Sequence, residues 1–162
     1  MRTYCRRTYE SVSPASPFRY GQAEANPRNL SRAGGRDDCE FAASGAAISL
    51  VSQTALMTAF GNDVSAQMLF AQQVLSYGRP GDYLLAISTS GNSENILHAA
   101  RLAHIQGVRV IALTGNDGGK LKALSDIAIC VPADITYQIQ ELHLPVYHCL
   151  CACVENELFG ED

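Results

Sequence analysis

The chain has 162 residues, a formal net charge of −4 at pH 7, and 47% hydrophobic residues. This length is typical of one domain with a substantial hydrophobic core. No apolar run approaches the roughly 20 residues needed to cross a bilayer, and the first residues lack a continuous apolar stretch, so we do not expect a secretory signal. The acidic balance argues against a nucleic-acid-binding protein. We therefore expect no membrane and no nucleic-acid partner, and a cytoplasmic location.

The first 42 residues differ in composition from the remainder. They hold seven of the twelve basic residues, and they are rich in Pro, Ser, Gly, Arg and Asn. They show no sustained period of 2 or 3.6, which is typical of poorly ordered chain. The sequence therefore predicts a poorly ordered or divergent leader over residues 1–42 and a folded domain over residues 43–162.

Short apolar segments alternate with helical periodicity from residue 46 onward. The patterns predict strands at 46–50, 84–87, 108–114 and 127–132. They predict helices at 54–60, at 64–78, from Glu94 onward, at 118–125, and from about Thr136 to Phe159. The helix from Glu94 has an apolar face made of Ile96, Leu97, Ala100 and Ala103. Such alternation predicts an α/β fold, a three-layer sandwich with a parallel sheet flanked by helices.

A turn rich in hydroxyl groups separates the strand at 84–87 from the helix that begins at Glu94. Ser88, Thr89, Ser90 and Ser93 fall within six residues, together with Gly91 and Asn92. A helix N-terminus offers unpaired N–H groups and a partial positive charge, so this turn favours a phosphate site. The alternative is that Ser90 or Asn92 only caps the helix. The turn lacks the spacing of the nucleotide-binding glycine motifs, which favours a phosphate that is not part of a nucleotide.

The six cysteines do not form a recognisable metal or disulfide framework. They are Cys5, Cys39, Cys130, Cys149, Cys151 and Cys153, with no C-x-x-C pair. The last three stand two residues apart on a predicted helix and so point about 200° away from one another in turn. We expect buried free thiols in a reducing compartment.

The segment "AISTSGNSENILHAARLAHIQGVRVIALTG" (86–115) resembles the core of the SIS (sugar isomerase) domain. The blocks "TAFGND" (58–63), "LTGNDGGKL" (113–121) and "IQELHLPVYHCLC" (139–151) resemble its phosphoheptose isomerase branch. The resemblance runs from about residue 46 to 159. It implies a flavodoxin-like fold, conversion of sedoheptulose 7-phosphate to a heptose 7-phosphate for lipopolysaccharide, and usually a homotetramer with active sites at subunit boundaries.

The resemblance also assigns roles to individual residues. It makes Ser88, Thr89, Ser90 and Ser93 the phosphate-binding group, and it makes Asn62 and Asp63 the pair that contacts the sugar. Gln140 and His148 match residues of the last helix that contact substrate and, in zinc-bearing members, the metal. His148 is then the candidate acid/base catalyst. These two residues lie within about 80° of each other around a helix, two turns apart.

One part of the family pattern has no counterpart in this sequence. Family members open with a helical segment, a "G-N-G-G-S" loop and a helix that carries a His and a Glu, the expected base. Without that block, isomerisation lacks one proton-transferring group and zinc lacks ligands, so we expect weak or absent zinc binding. Pro145 removes a backbone donor from the last helix and is predicted to kink it. Phosphosugar binding is therefore better supported than catalysis.

Two other classes of function stay open at this point. One is a non-catalytic SIS scaffold like the bacterial relative that binds the replication initiator protein. That relative has Arg where Ser90 stands and Asn where His148 stands, so both positions here favour the enzyme branch. The other is a sugar-phosphate sensor, for which residues 1–42 show no helix-turn-helix pattern.

The last predicted helix carries an apolar stripe along most of its length. Its members are Leu142, Val146, Leu150, Val154 and Leu158. A stripe of this kind must be buried in the core or against a partner. Together with the resemblance, it predicts a homo-oligomer, a dimer or tetramer.

Overall fold

A computed structural model describes residues 47–159 of the chain. The predicted leader over 1–42 and its boundary with the folded domain lie outside the described residues, as do Cys5 and Cys39.

The centre of the described part is a three-stranded parallel sheet. The strands are β1 (Tyr83–Ile87), β2 (Arg109–Gly115) and β3 (Ile127–Val131), in the order β1-β2-β3. The register pairs Leu85 with Ile111 and Ile111 with Ile127. Three of the four predicted strands are thus confirmed, each within one residue of its expected bounds.

Helices lie on both faces of the sheet. They are α1 (Thr54–Phe60), α2 (Leu69–Tyr77), α3 (Glu94–Ile105), α4 (Gly119–Ala123) and α5 (Thr136–Phe159). The core cluster joins Ala86, Val110 and Ala112 of the sheet to Leu97 of α3 and to Leu121 of α4. Helix α5 packs against β2 and β3, through side chains of the opposite face. The predicted three-layer α/β sandwich is therefore confirmed.

The predicted strand at 46–50 is wrong for the residues that the structure describes. Residues 47–49 have no regular structure, Leu50–Ser52 form a 3-10 turn, and Ile48 is 57% exposed. A strand is stabilised only when a neighbouring strand satisfies its backbone groups. In the described sheet β1 pairs only with β2. The apolar, strand-like residues 47–50 therefore have no described strand to pair with and do not form a strand.

The predicted helix at 64–78 is shorter than expected. A π-helical turn (Gly61–Ser65) and a 3-10 turn (Ala66–Met68) precede α2, which begins at Leu69. Ser65 has an extended backbone, with φ of −169° and ψ of 124°, which separates the two turns. The helical spacing of apolar residues from Val64 onward therefore did not reveal the break that precedes Leu69.

Helix α5 has the predicted bounds but only part of it packs on the sheet. It runs as one helix through Pro145, and its buried residues are Ile139 and His143. The predicted stripe is not buried in the core: Leu142, Val154 and Leu158 are exposed, whereas Val146 and Leu150 are half-buried. The second half of α5 therefore presents apolar side chains to the surroundings.

The described cysteines are free thiols, as predicted, but not buried ones. Cys149, Cys151 and Cys153 are exposed, and Cys130 is partly buried. A hydrogen bond between the Cys153 thiol and the neighbouring Cys149 side chain raises the pKa of Cys153 above its ordinary value. The burial prediction failed because these three residues lie on the part of α5 that does not contact the sheet. Among residues 47–159 no helix is long and apolar enough to span a membrane.

Candidate functional site

The hydroxyl-rich turn lies at the carboxyl end of β1, where a parallel sheet usually binds its ligands. The N–H of Ser88 donates to the carbonyl of Leu113 at 3.0 Å, so the turn starts as a continuation of the sheet. The Gly115 N–H donates to the carbonyl of Thr89 at 2.9 Å. Both bonds tie the turn to β2, which gives it a fixed position at the edge of the sheet.

Two hydroxyls from opposite ends of the turn converge in front of α3. The Ser88 and Ser93 oxygens are 3.1 Å apart, and Ser88 is only 6% exposed. Ser93 is the N-cap residue of α3, and its side chain makes no capping hydrogen bond, whereas the Asn95 amide oxygen accepts from the Ile96 N–H of the first turn at 2.9 Å. The alternative that Ser90 or Asn92 only caps the helix is not supported, because the Ser90 hydroxyl accepts from the Asn92 N–H at 3.2 Å and the Asn92 amide oxygen accepts from the Lys120 N–H at 3.2 Å.

Asn92 holds the turn against the loop between β2 and α4. Its amide nitrogen donates to the Ser90 carbonyl at 2.8 Å, and its amide oxygen accepts from the Lys120 N–H at 3.2 Å. The Leu121 N–H also donates to the Gly91 carbonyl at 2.9 Å. Asn92 thus acts as a brace between two loops rather than as a helix cap.

Glycines permit these two loops to meet backbone to backbone. A Cβ on Gly91, which has φ of 61°, would collide with the backbone of Gly118. A Cβ on Gly119 would collide with the Ser90 carbonyl and would lie 2.8 Å from the Asn92 amide nitrogen. The position of the phosphate-binding candidates therefore depends on glycine in both loops.

A cleft of about 210 Å³ opens beside the turn, across the carboxyl ends of all three strands. It is lined by Thr89, Ser90, Gly115, Asn116, Asp117, Ala133, Asp134 and Ile139. The Asn116 amide donates a short hydrogen bond to Asp134, which joins the loops after β2 and β3. Sequence reasoning missed Asn116, Asp117 and Asp134 as site residues. Their position directly after predicted strands was the signal that could have found them.

Asn62 and Asp63 lie on the π-helical turn between α1 and α2. Both are exposed, and the Asn62 amide donates to the Asp63 carboxylate at 3.0 Å. Neither residue is among those that line the cleft. The structure thus pairs these two residues with each other by a hydrogen bond, and their role as sugar contacts stays a prediction.

Gln140 and His148 both lie on α5 and both are exposed. Gln140 follows Ile139, which lines the cleft, whereas His148 stacks at a tilt on Tyr147 with ring centroids 5.0 Å apart. The histidine that does reach the sheet is His143, whose Nε2 lies 3.1 Å from the carbonyl of Thr114.

The donor set for zinc is incomplete in the part of the chain that the structure describes. Residues 47–159 contain no group of three or more His, Cys, Asp or Glu side chains that could hold a metal ion. Gln140 and His148 supply one amide and one imidazole, whereas zinc sites usually have at least three protein ligands. The described residues therefore do not fit a tight zinc site.

Comparison with known proteins matches this arrangement to a family. A model of the family described as "SIS domain" matches residues 26–115, more than half of the chain. The chain belongs to the SIS domain family. The match begins at residue 26, upstream of the predicted boundary at residue 43, and the boundary itself stays a prediction.

Several relatives of this SIS chain are phosphoheptose isomerases. It is 49% identical over 120 residues to the phosphoheptose isomerase of Thiobacillus denitrificans, a match that covers 72% of this chain and 61% of the relative. It is 46% identical over 114 residues to that of Akkermansia muciniphila, covering 70% and 60%. The chain thus spans about three fifths of the length of the curated relatives it matches.

Solved structures show the same similarity. The phosphoheptose isomerase GmhA from Neisseria gonorrhoeae matches with a TM-score of 0.66 and 45% identity, covering 67% of this chain and 62% of that one. A phosphoheptose isomerase from Francisella tularensis matches with a TM-score of 0.63 and 45% identity, covering 65% and 56%. The resemblance to the phosphoheptose isomerase branch is confirmed, and with it the fold.

Proposed function

We propose that this chain binds a phosphorylated heptose of the sedoheptulose 7-phosphate type through the turn Ser88–Ser93. The observation that carries the proposal is the pair of converged hydroxyls, Ser88 and Ser93, in front of the N-terminus of α3, where the Ser93 side chain makes no capping hydrogen bond. A phosphate there accepts hydrogen bonds from hydroxyl and backbone donors and meets the positive end of the helix dipole. No lysine or arginine is required for such a site.

The cleft beside the turn is suited to the sugar part of the ligand. Polyol chains need donors and acceptors, and the cleft offers the carboxylates of Asp117 and Asp134 and the amide of Asn116. Thr89 and Ser90 belong to both the cleft and the turn, so one ligand can contact both. In this proposal Asn62, Asp63 and Gln140 complete the sugar contacts.

The names of the relatives favour an isomerase ancestry over a non-catalytic scaffold. Both relatives and both solved structures are called phosphoheptose isomerase. We accordingly place the chain, as a proposal, in cytoplasmic supply of heptose phosphate for lipopolysaccharide, as a homo-oligomer. His148 is the proposed acid/base residue, and no step is assigned to zinc because the described donors do not fit it.

Calorimetric titration with sedoheptulose 7-phosphate tests the proposal. The double variant Ser88→Ala/Ser90→Ala removes two hydroxyl donors, each worth roughly 1–3 kcal/mol when it meets a charged phosphate. We expect affinity to fall at least tenfold. Ser76→Ala is the matched control, because the Ser76 hydroxyl bonds only the Gln72 carbonyl of its own helix, at 3.0 Å.

The outcome separates a phosphosugar site from a scaffold. Equal heptose phosphate affinity in the wild type and the double variant would contradict the proposal. Absence of binding in all three proteins would instead support the scaffold interpretation.

A further inference from the structure

Two of the exposed thiols on α5 share one side of the helix. Cys149, Cys151 and Cys153 are all exposed, and all three lie within α5. Each residue of an α-helix is turned about 100° from the residue before it. Cys149 and Cys153 are therefore only about 40° apart around the helix axis, whereas Cys151 lies about 160° from each of them. The three thiols thus form one pair and one single thiol.

The side chains of the pair also meet. The Cys153 thiol and the Cys149 side chain are hydrogen-bonded, so the two sulfurs face each other. Helix positions that are four residues apart place their Cβ atoms about 5–6 Å from each other. A disulfide needs Cβ atoms about 3.5–4.5 Å apart. The intact helix therefore holds the two thiols too far apart for an S–S bond but close enough to bind one ion between them.

The number of ligands decides which metal ion such a pair fits. Thiolates select soft ions, but structural zinc takes four ligands and iron–sulfur clusters take four cysteines. Residues 47–159 contain no group of three or more His, Cys, Asp or Glu side chains that could hold a metal ion. Cu(I) is equally soft, and as a monovalent ion with a filled d shell it binds two thiolates in a line.

The dimensions of a two-thiolate copper site agree with this helix. Two metal–sulfur bonds of about 2.3 Å in a line place the sulfurs about 4.6 Å apart. Side chains whose Cβ atoms are about 5–6 Å apart reach this separation by rotation about the Cα–Cβ bond. The backbone of α5 can therefore stay helical when the ion binds.

We propose that Cys149 and Cys153 form a two-thiolate site for Cu(I) on the surface of α5. When the ion binds, the two S–H bonds break, two S–Cu bonds form, and two protons pass to the solvent. Sulfur and copper keep their oxidation states, so no oxidant or reductant is consumed. The proposal does not depend on phosphosugar binding, since it requires no ligand at the Ser88–Ser93 turn.

The pair lies beyond the part of α5 that packs on the sheet. The buried residues of α5 are Ile139 and His143, and residues 151–158 are all exposed. An ion can therefore reach both thiols from the solvent without moving a core side chain.

Anaerobic titration of the full chain with Cu(I), in competition with a coloured Cu(I) chelator, tests the proposal. We expect Cys149→Ser/Cys153→Ser to bind Cu(I) at least about tenfold more weakly than the wild type, because the second thiolate of a chelating pair binds at high effective concentration. Cys151→Ser is the matched control, because it removes an exposed thiol of the same helix from another side. It should bind Cu(I) as the wild type does. The other three cysteines of the chain stay in all of these proteins, so the difference reports on the pair.

Zinc gives a second measurement that depends on the number of ligands. The affinity for Zn(II) should be the same in the wild type and the double variant, because two thiolates do not complete a zinc site. If the double variant does not fold, Cys149→Ser alone serves, since one remaining thiol cannot chelate. Equal Cu(I) affinity in the wild type and the double variant would overturn the proposal. So would an equal loss in Cys151→Ser, or zinc binding that requires Cys149 and Cys153.

Discussion

Gly91 shows how a single residue sets the geometry of the candidate phosphate site. It has a left-handed backbone at φ of 61°, and its missing Cβ leaves room for the Gly118 backbone. Any L-residue would meet strain and a collision together, because two loops are pressed against each other at this point. The contact between the Gly91 and Gly118 backbones therefore determines where the hydroxyls on either side of Gly91 lie.

The variant Gly91→Ala should destabilise the fold by about 2–4 kcal/mol, which combines left-handed strain with overpacking. Urea unfolding measures this change. Gly81→Ala is the matched control, since Gly81 has φ of 95° but a Cβ added to it would meet nothing within 4 Å. It should lose only about 1–2 kcal/mol, from strain alone. Equal losses in the two variants would show that the loop contact is unimportant.

At the level of elements, α5 is held to the sheet by its first half. Ile139 and His143 are its buried residues, 4% and 3% exposed, and His143 Nε2 lies 3.1 Å from the Thr114 carbonyl of β2. They are four positions apart in the sequence, about one helical turn. The attachment of a 24-residue helix thus depends on a short contact.

Removal of the His143 side chain should loosen this attachment. His143→Ala is expected to lower the free energy of unfolding by about 2–4 kcal/mol, from a cavity and a lost buried hydrogen bond. His143→Leu keeps most of the packing and should lose only about 1 kcal/mol. Leu144→Ala, at an exposed neighbouring position, should change stability by less than about 0.5 kcal/mol. A His143→Ala protein as stable as Leu144→Ala would refute the anchoring role.

For the whole molecule, we expect the second half of α5 to determine whether copies associate. Val154 and Leu158, the last two members of the apolar stripe of α5, are 53% and 55% exposed. No other described residue covers this end of the stripe. We expect a dimer or tetramer by light scattering at micromolar concentration, because exposed apolar stripes associate. Val154→Glu/Leu158→Glu should shift the population toward monomer, whereas Ile105→Glu on α3 should not. A wild-type monomer at that concentration would contradict this prediction.

Catalysis is a second property of the whole molecule, because it needs groups from more than one element. The sequence matches only one end of the isomerase site, so we expect heptose phosphate isomerisation at a rate about 10²–10⁴ lower than in a complete enzyme. The assay follows aldose formation from sedoheptulose 7-phosphate, with and without zinc, and the Thiobacillus denitrificans relative is the positive control. Robust turnover that disappears in His148→Ala would contradict us and would mean that another carboxylate, with Asp63 and Glu141 as the candidates, serves as the base.

The sequence alone determined the fold class, three of the strands and the location of the hydroxyl turn. Its local patterns were strong there: the β-branched run of β2, the apolar face of α3 and the four hydroxyls after β1 each depend on neighbouring residues only. The bounds of α5 followed for the same reason. The site residues carried over from the family stay predictions, with Ser88 and Ser93 adjacent in the structure and His148 exposed on α5.

Only the tertiary structure decided what those elements contact. The segment at 46–50 had the sequence of a strand but gained no partner, and the stripe of α5 had the sequence of a buried face but extends past the sheet. Asn116 and Asp134 became cleft residues because parallel strands end at the same edge, a property of pairing rather than of sequence. Pairing and burial are set by distant parts of the chain, so local patterns predict which element forms but not whether its partner is present.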